Sequence, residues 1–217
     1  MLFRYFPLLR DNPLQFVAIF LATGMALVIA ISIHELCHAI AANSLGDDTA
    51  KRQGRLTLNP LAHLDPIGTI LLFLVGFGWG RPVPVNPLNL KLGARRGMAI
   101  VGAAGPLSNL ITAAIFAIAL RFIGGMAAEV LFLIVLYNIV LAVFNLIPIP
   151  PLDGFRVALG ILPRRLSMSF SKIEVYGPMV LIGVLAVDSI TGLGFLGRAI
   201  SPVISMFSKL FIGVSLL

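Results

Sequence analysis

The stretch ISIHELCHAIAA, residues 31–42, places two histidines and a glutamate inside an apolar run, LQFVAIFLATGMALVIAISIHELCHAIAANS, residues 14–44. At about 1.5 Å per residue such a run, if helical, is longer than a bilayer requires. The whole chain reads the same way: 217 residues, 59% hydrophobic, 12% charged, mean hydropathy +1.02. Soluble domains carry about 25% charged residues, so the composition specifies an integral membrane protein. His34, Glu35 and His38 therefore sit where an ionisable group costs roughly 2.5–3.5 kcal/mol on insertion scales. Three together need a compensating partner.

Working outward, Gly46 and Asp47 stop the first span. Residues 97–122 predict a second span and 128–147 a third, broken by the three prolines of NLIPIPPLDG (145–154). A short helix over 153–162 follows, then spans over 174–191 and 195–216 divided by Gly192 and Gly194. Residues 67–80 are apolar but too short to cross as a helix. The next run, RPVPVNP (81–87), alternates proline and valine and suits an extended edge strand. Residues 69–86 are accordingly expected to form a β-hairpin dipping into the membrane, tolerable only against protein or a wet cavity. The predicted fold is an all-α polytopic membrane protein of about five transmembrane helices plus that hairpin, with residues 1–217 as one domain.

The net charge of +7 raises the question of nucleic acid. The basic residues instead fall in short loops, where they set topology, and no nucleic-acid partner is expected. With the N-terminus outside, the inner segments 45–96 and 148–174 hold eleven Lys and Arg residues, against four (Arg4, Arg10, Arg121, Arg198) outside. The HELCH end of the first span then faces the cytoplasm. The single cysteine, Cys37, excludes an intramolecular disulfide. The apolar segment after the basic start is too long for the core of a cleavable signal.

His34-Glu35-x-x-His38 matches H-E-x-x-H. On a helix, residues four apart share a face, so both imidazoles can bind one ion. Glu35 points to the side of that pair, where it can reach an attacking water without ligating the metal. Zinc with histidine ligands and an adjacent glutamate base is a hydrolytic arrangement. A third ligand is needed, and Asp153 in PPLDG lies at the matching depth. The alternative role for Asp153 is to cap the helix that follows.

At this point the chain resembles a known family. HELCH, AGPLSN (104–109) and NLIPIPPLDG look like the site-2 proteases, intramembrane zinc metalloproteases; GWGRPVPVNP and GRLTLNPLAHLDPIGT resemble the short bacterial and archaeal branch without PDZ or CBS domains. The likeness runs from about residue 12 to 205. It implies one Zn2+ per chain held by His34, His38 and Asp153, with Glu35 as base. It also implies a membrane-protein substrate cut within a transmembrane segment near the cytosolic leaflet, in a prokaryotic inner membrane. The resemblance further implies that Asn145 supports substrate or site.

Asn138 lies seven residues before Asn145 and is expected on nearly the same face. It can support the site or make an interhelical hydrogen bond. Asn109, after Gly105-Pro106, can support the site or simply pack. His63 could touch metal, but a fourth protein ligand would block the water. Cys37 is expected to pack. Val83 and Val85 in the proline-rich run could pair with an unwound substrate by strand addition; the alternative is a purely structural hairpin. Two rival functions exist. A metal transporter would continue its polar residues across the membrane, whereas here they cluster near one leaflet. A zinc-stabilised scaffold would not need Glu35.

Overall fold

The computed structural model describes residues 10–75 and 78–214. Helix α1, Pro13–Ser44, starts where Asn12 accepts a hydrogen bond from the Gln15 amide at 3.2 Å and Pro13 fills the first turn. It ends at Leu45, followed by Gly46 at φ +105°. One row of every fourth residue, Ala22, Ala26, Ala30, His34, His38 and Ala42, is buried. Small residues on such a row let helix backbones approach closely without help from the hydrophobic effect.

The partner row lies on α4, Ala94–Leu120, after two short helices, α2 (Thr49–Arg52) and α3 (Pro66–Val75). In α4 the residues Gly97, Val101, Gly105, Asn109, Ala113 and Ala117 are likewise buried at a spacing of four. Two such rows interdigitate, ridge into groove. Helix α5, Gly125–Asn145, closes the core, where Val135, Ile139 and Val143 pack against Ala113 and Ala117. These three helices form the scaffold on which the polar residues are mounted.

The prolines at 148, 150 and 151 end α5, and the chain re-enters as α6, Asp153–Ile161. A Cβ at Gly154 would lie 2.2 Å from the Leu146 carbonyl oxygen. Only glycine lets the start of α6 fold back this closely on the end of α5. A helical run, α7 (Arg164–Phe170) and a 3-10 segment (Ser171–Tyr176), leads into α8, Gly177–Thr191. Gly192 and Gly194, both left-handed, turn the chain into α9, Phe195–Ile212, whose Ile204 joins the α4–α5 core. Five helical runs are long and apolar enough to span: Pro13–Ser44, Ala94–Leu120, Gly125–Asn145, Arg164–Thr191 and Phe195–Ile212. This is an integral membrane protein.

The expected β-hairpin is not supported, and no strand occurs among the described residues. Residues 66–75 are helical because Asp65 and Pro66 start a helix: the Asp65 carboxylate accepts from the Gly68 amide at 2.8 Å. Gly76 and Phe77, also within the expected hairpin, lie outside the described residues. The RPVPVN run follows as a single unpaired segment. Each residue preceding a proline is kept out of the helical region, and each proline has its own φ fixed. One isolated antiparallel bridge, Leu64 to Gly80, is the nearest approach to a sheet.

Two anchors hold that segment. At one end, the Arg81 amide donates to His63 O at 2.7 Å and the Arg55 guanidinium donates to Arg81 O. At the other, buried Asp47 accepts from Asn86 N at 2.7 Å and Asn89 Nδ2 at 2.9 Å, as well as from Thr49. Burial alone would raise the Asp47 pKa, but the hydrogen bonds from Thr49, Asn89 and Asn86 together hold its carboxyl below the ordinary value.

Candidate metal centre

His34 and His38 stand one turn apart on the buried row of α1, and Asp153 is the first residue of α6. Three atoms converge: His34 Nε2 and His38 Nε2 are 3.0 Å apart, and Asp153 Oδ2 lies 3.0 Å from the first and 3.1 Å from the second. Ligands about 2.0–2.1 Å from a tetrahedral zinc are separated by about 3.3 Å. The triangle is therefore slightly tighter than a zinc ligand face and fits that ion. Leu152, in extended conformation, occupies the cap position of α6, which leaves Asp153 turned to the histidines.

The outer nitrogens of both rings are engaged by α4. His38 Nδ1 lies 2.7 Å from Val101 O, and His34 Nδ1 lies 2.6 Å from Asn109 Oδ1. Such outer partners fix ring orientation around a metal. A Cβ at Gly105 would sit 2.4 Å from His38 Nε2, so α4 carries a glycine where it faces the ligand atoms. The only sequence signal for this contact is a glycine preceding proline inside an apolar helix.

The triangle borders a cavity of about 300 Å³. Glu35, Asn145, Val83 and Val85 line it, as do Trp79 and Leu181. Among the described residues Glu35 makes no hydrogen bond or ion pair, so its carboxylate is available to a guest. Its Oε1 lies 3.5 Å from where a Cβ on Gly80 would be, which places the start of the 80–86 segment beside it. Asn145 donates to Leu141 O at 3.0 Å within its own helix.

Asn138 does not share the cavity with Asn145. It is fully buried behind the site and accepts from Asn109 Nδ2 at 2.8 Å. His63 is fully buried, bonded through Nε2 to Thr57 O at 2.7 Å, and is not in the ligand cluster. Cys37 is half-buried and also outside the cluster. Arg156 was missed by the sequence reading; it lines the cavity and pairs with Glu174 at 3.2 Å.

Comparison with known proteins bears on this arrangement. The pattern defining "Peptidase family M50" matches residues 123–185. The Bacillus subtilis (strain 168) protein named "Putative zinc metalloprotease YwhC" is 40% identical over 204 residues, spanning 86% of this chain and 91% of that protein. Rip2 of Mycolicibacterium smegmatis, which carries the same designation of zinc metalloprotease, is 30% identical over 151 residues, 66% of this chain and 58% of its own length. Rip2 of Mycobacterium tuberculosis is 30% identical over 152 residues, with the same coverage. No solved structure matches.

Proposed function

The chain belongs to peptidase family M50, and from that premise we propose that it is a zinc-dependent intramembrane endopeptidase that cuts transmembrane segments of membrane proteins near the cytosolic leaflet. The observation that carries the reading is the convergence of His34, His38 and Asp153 at 3.0–3.1 Å on a cavity that also holds an unpaired Glu35. The whole chain acts as one protease domain. The excess of basic residues in 45–96 and 148–174 supports a cytoplasmic orientation of the site in a prokaryotic inner membrane.

His34, His38 and Asp153 would hold the ion. Zinc, when bound, polarises the scissile carbonyl and acidifies water. Glu35 takes a proton from the attacking water as its oxygen bonds to the carbonyl carbon. Glu35 then returns that proton to the nitrogen as the C–N bond breaks, releasing an amine and a carboxylic acid.

A helical substrate must first be extended, because its peptide bonds are hidden by its own hydrogen bonds. The amides of Val83 and Val85 bond to nothing among the described residues and both residues line the same cavity, which supports their pairing with an unwound strand. Asn145, also on the cavity wall, would donate to the substrate carbonyl on leaving Leu141 O.

The decisive experiment compares wild type and Glu35→Gln on a panel of membrane-anchored substrates, with zinc content measured on both. The amide cannot shuttle protons, so cleavage should fall by about 10²–10⁴-fold while zinc stays near one per chain. Full proteolysis by the variant would sink the mechanism. Zinc flux through either protein in liposomes, without cleavage, would make it a transporter.

A further inference from the structure

The two candidate ligand histidines are oriented by different kinds of acceptor. His38 Nδ1 faces Val101 O, a backbone carbonyl that can only accept. His34 Nδ1 faces Asn109, whose side-chain amide would offer a donor if it turned over. What prevents the turn lies one layer further out. Asn138 Nδ2 donates to Ile134 O at 2.8 Å, and that carbonyl fixes which way the Asn138 amide points. Its Oδ1 therefore faces Asn109 and accepts from Asn109 Nδ2 at 2.8 Å. Asn109 Nδ2 spends its other hydrogen on Ala30 O, at 2.9 Å. Asn109 Oδ1 is then the only atom left for His34, 2.6 Å away, and an amide oxygen only accepts. The proton of a neutral His34 is thereby held on Nδ1. Its lone pair lies on Nε2, the atom in the ligand triangle. Both asparagines are fully buried, so no water can substitute for either bond.

We propose that Asn138 and Asn109 form a positioning relay that selects the metal-binding tautomer of His34 and so sets metal affinity, Asn138 acting only through Asn109. This rests on the metal reading above. A purely packing role predicts loss of stability without a selective change in metal affinity.

The test is zinc affinity, read by competition with a fluorescent chelator on detergent-purified protein, with unfolding of the metal-free forms measured in parallel. Asn109→Leu and Asn138→Leu should each weaken zinc by about 10–100-fold, the usual effect of losing an outer partner. Because Asn138 acts only through Asn109, the double variant Asn109→Leu/Asn138→Leu should bind zinc no more weakly than Asn109→Leu alone. Wild-type affinity in Asn138→Leu, or losses that add in the double variant, would overturn the relay. If Asn138→Leu does not fold, Asn109→Leu carries the test, and wild-type affinity in it overturns the relay. Failure of the metal reading looks different: wild type would take up no zinc, or His34→Ala would keep it.

Discussion

Gly105 meets His38 so closely that a methyl group at position 105 would lie 2.4 Å from His38 Nε2, and 2.7 Å from His34 Cε1 as well. Both imidazoles are pinned from behind, by Val101 O and Asn109, and have no room to retreat. Gly105→Ala should therefore displace the ligand atoms and cost most of the bound zinc, though alanine is the better helix former. Gly183→Ala in α8, where nothing lies within 4 Å, is the control and should leave zinc unchanged. Zinc analysis of both proteins after gel filtration decides it; stoichiometric metal in Gly105→Ala would mean that the helices yield.

Asp153→Ala should abolish stoichiometric zinc, as should His34→Ala and His38→Ala. His63 cannot take over the vacant position, because its ring is fully buried and tied to Thr57 O. His63→Gln should therefore keep one zinc per chain. Metal retained by Asp153→Ala and lost by Asp153→Ala/His63→Gln would reverse the assignment.

Substitution of proline for Val83 or Val85 should cut proteolysis and leave zinc content intact, since each removes one N–H from the extended segment. Val83→Ala and Val85→Ala should cost little, because the pairing uses backbone. Residues two apart in an extended chain present their amides to the same edge, and the neighbouring Pro82 and Pro84 have no N–H to offer. Both proline variants should therefore act in the same direction. If neither slows cleavage, substrate is held elsewhere in the cavity, with Asn145 the next residue to test.

Asp47 should make the 81–91 segment loosen in acid. Its folded pKa lies below the unfolded one, so its contribution is fully present above the ordinary carboxylate pKa of about 3.9 and is lost as pH falls through the lower folded value. Hydrogen exchange at Asn86 and Asn89 should accelerate in that window while the core of α4 stays protected. Asp47→Ala should abolish the pH dependence and cost about 1.5–3 kcal/mol, the order of a hydrogen bond to a charged acceptor. An unchanged acid response in Asp47→Ala would assign it to another group.

The spans and the His34–His38–Asp153 cluster are legible because both depend on local rules. Runs of apolar length set the helices, and i, i+4 spacing set His34 and His38. Asp153 followed from the proline break that stops α5. The hairpin failed because an apolar stretch of 67–80 was weighed by its length and not by its start. Asp65 and Pro66 supply a helix beginning, and it overrides the β-branched content behind them. The valine–proline alternation did give an extended segment, but no sequence rule shows that its anchors are Asp47, Arg55 and His63 rather than a second strand. Asn109 and Asn138 could be flagged only as buried amides needing partners. That Asn109 faces His34 and Asn138 faces Asn109 is a product of packing α1, α4 and α5 together, which no single helix displays.

His38 and Asp153 stand 115 positions apart along the chain. At a synthesis rate of about 5–20 residues per second, roughly 6–23 seconds pass between the emergence of the histidine pair and that of the carboxylate. Throughout that interval the nascent chain carries two ring nitrogens without their third partner. Proteolytic competence thus arrives late, when the break after α5 brings the start of α6 back against the first helix. On the proposed ligand set, a polypeptide released before residue 153 lacks the carboxylate and would hold no zinc between the histidines.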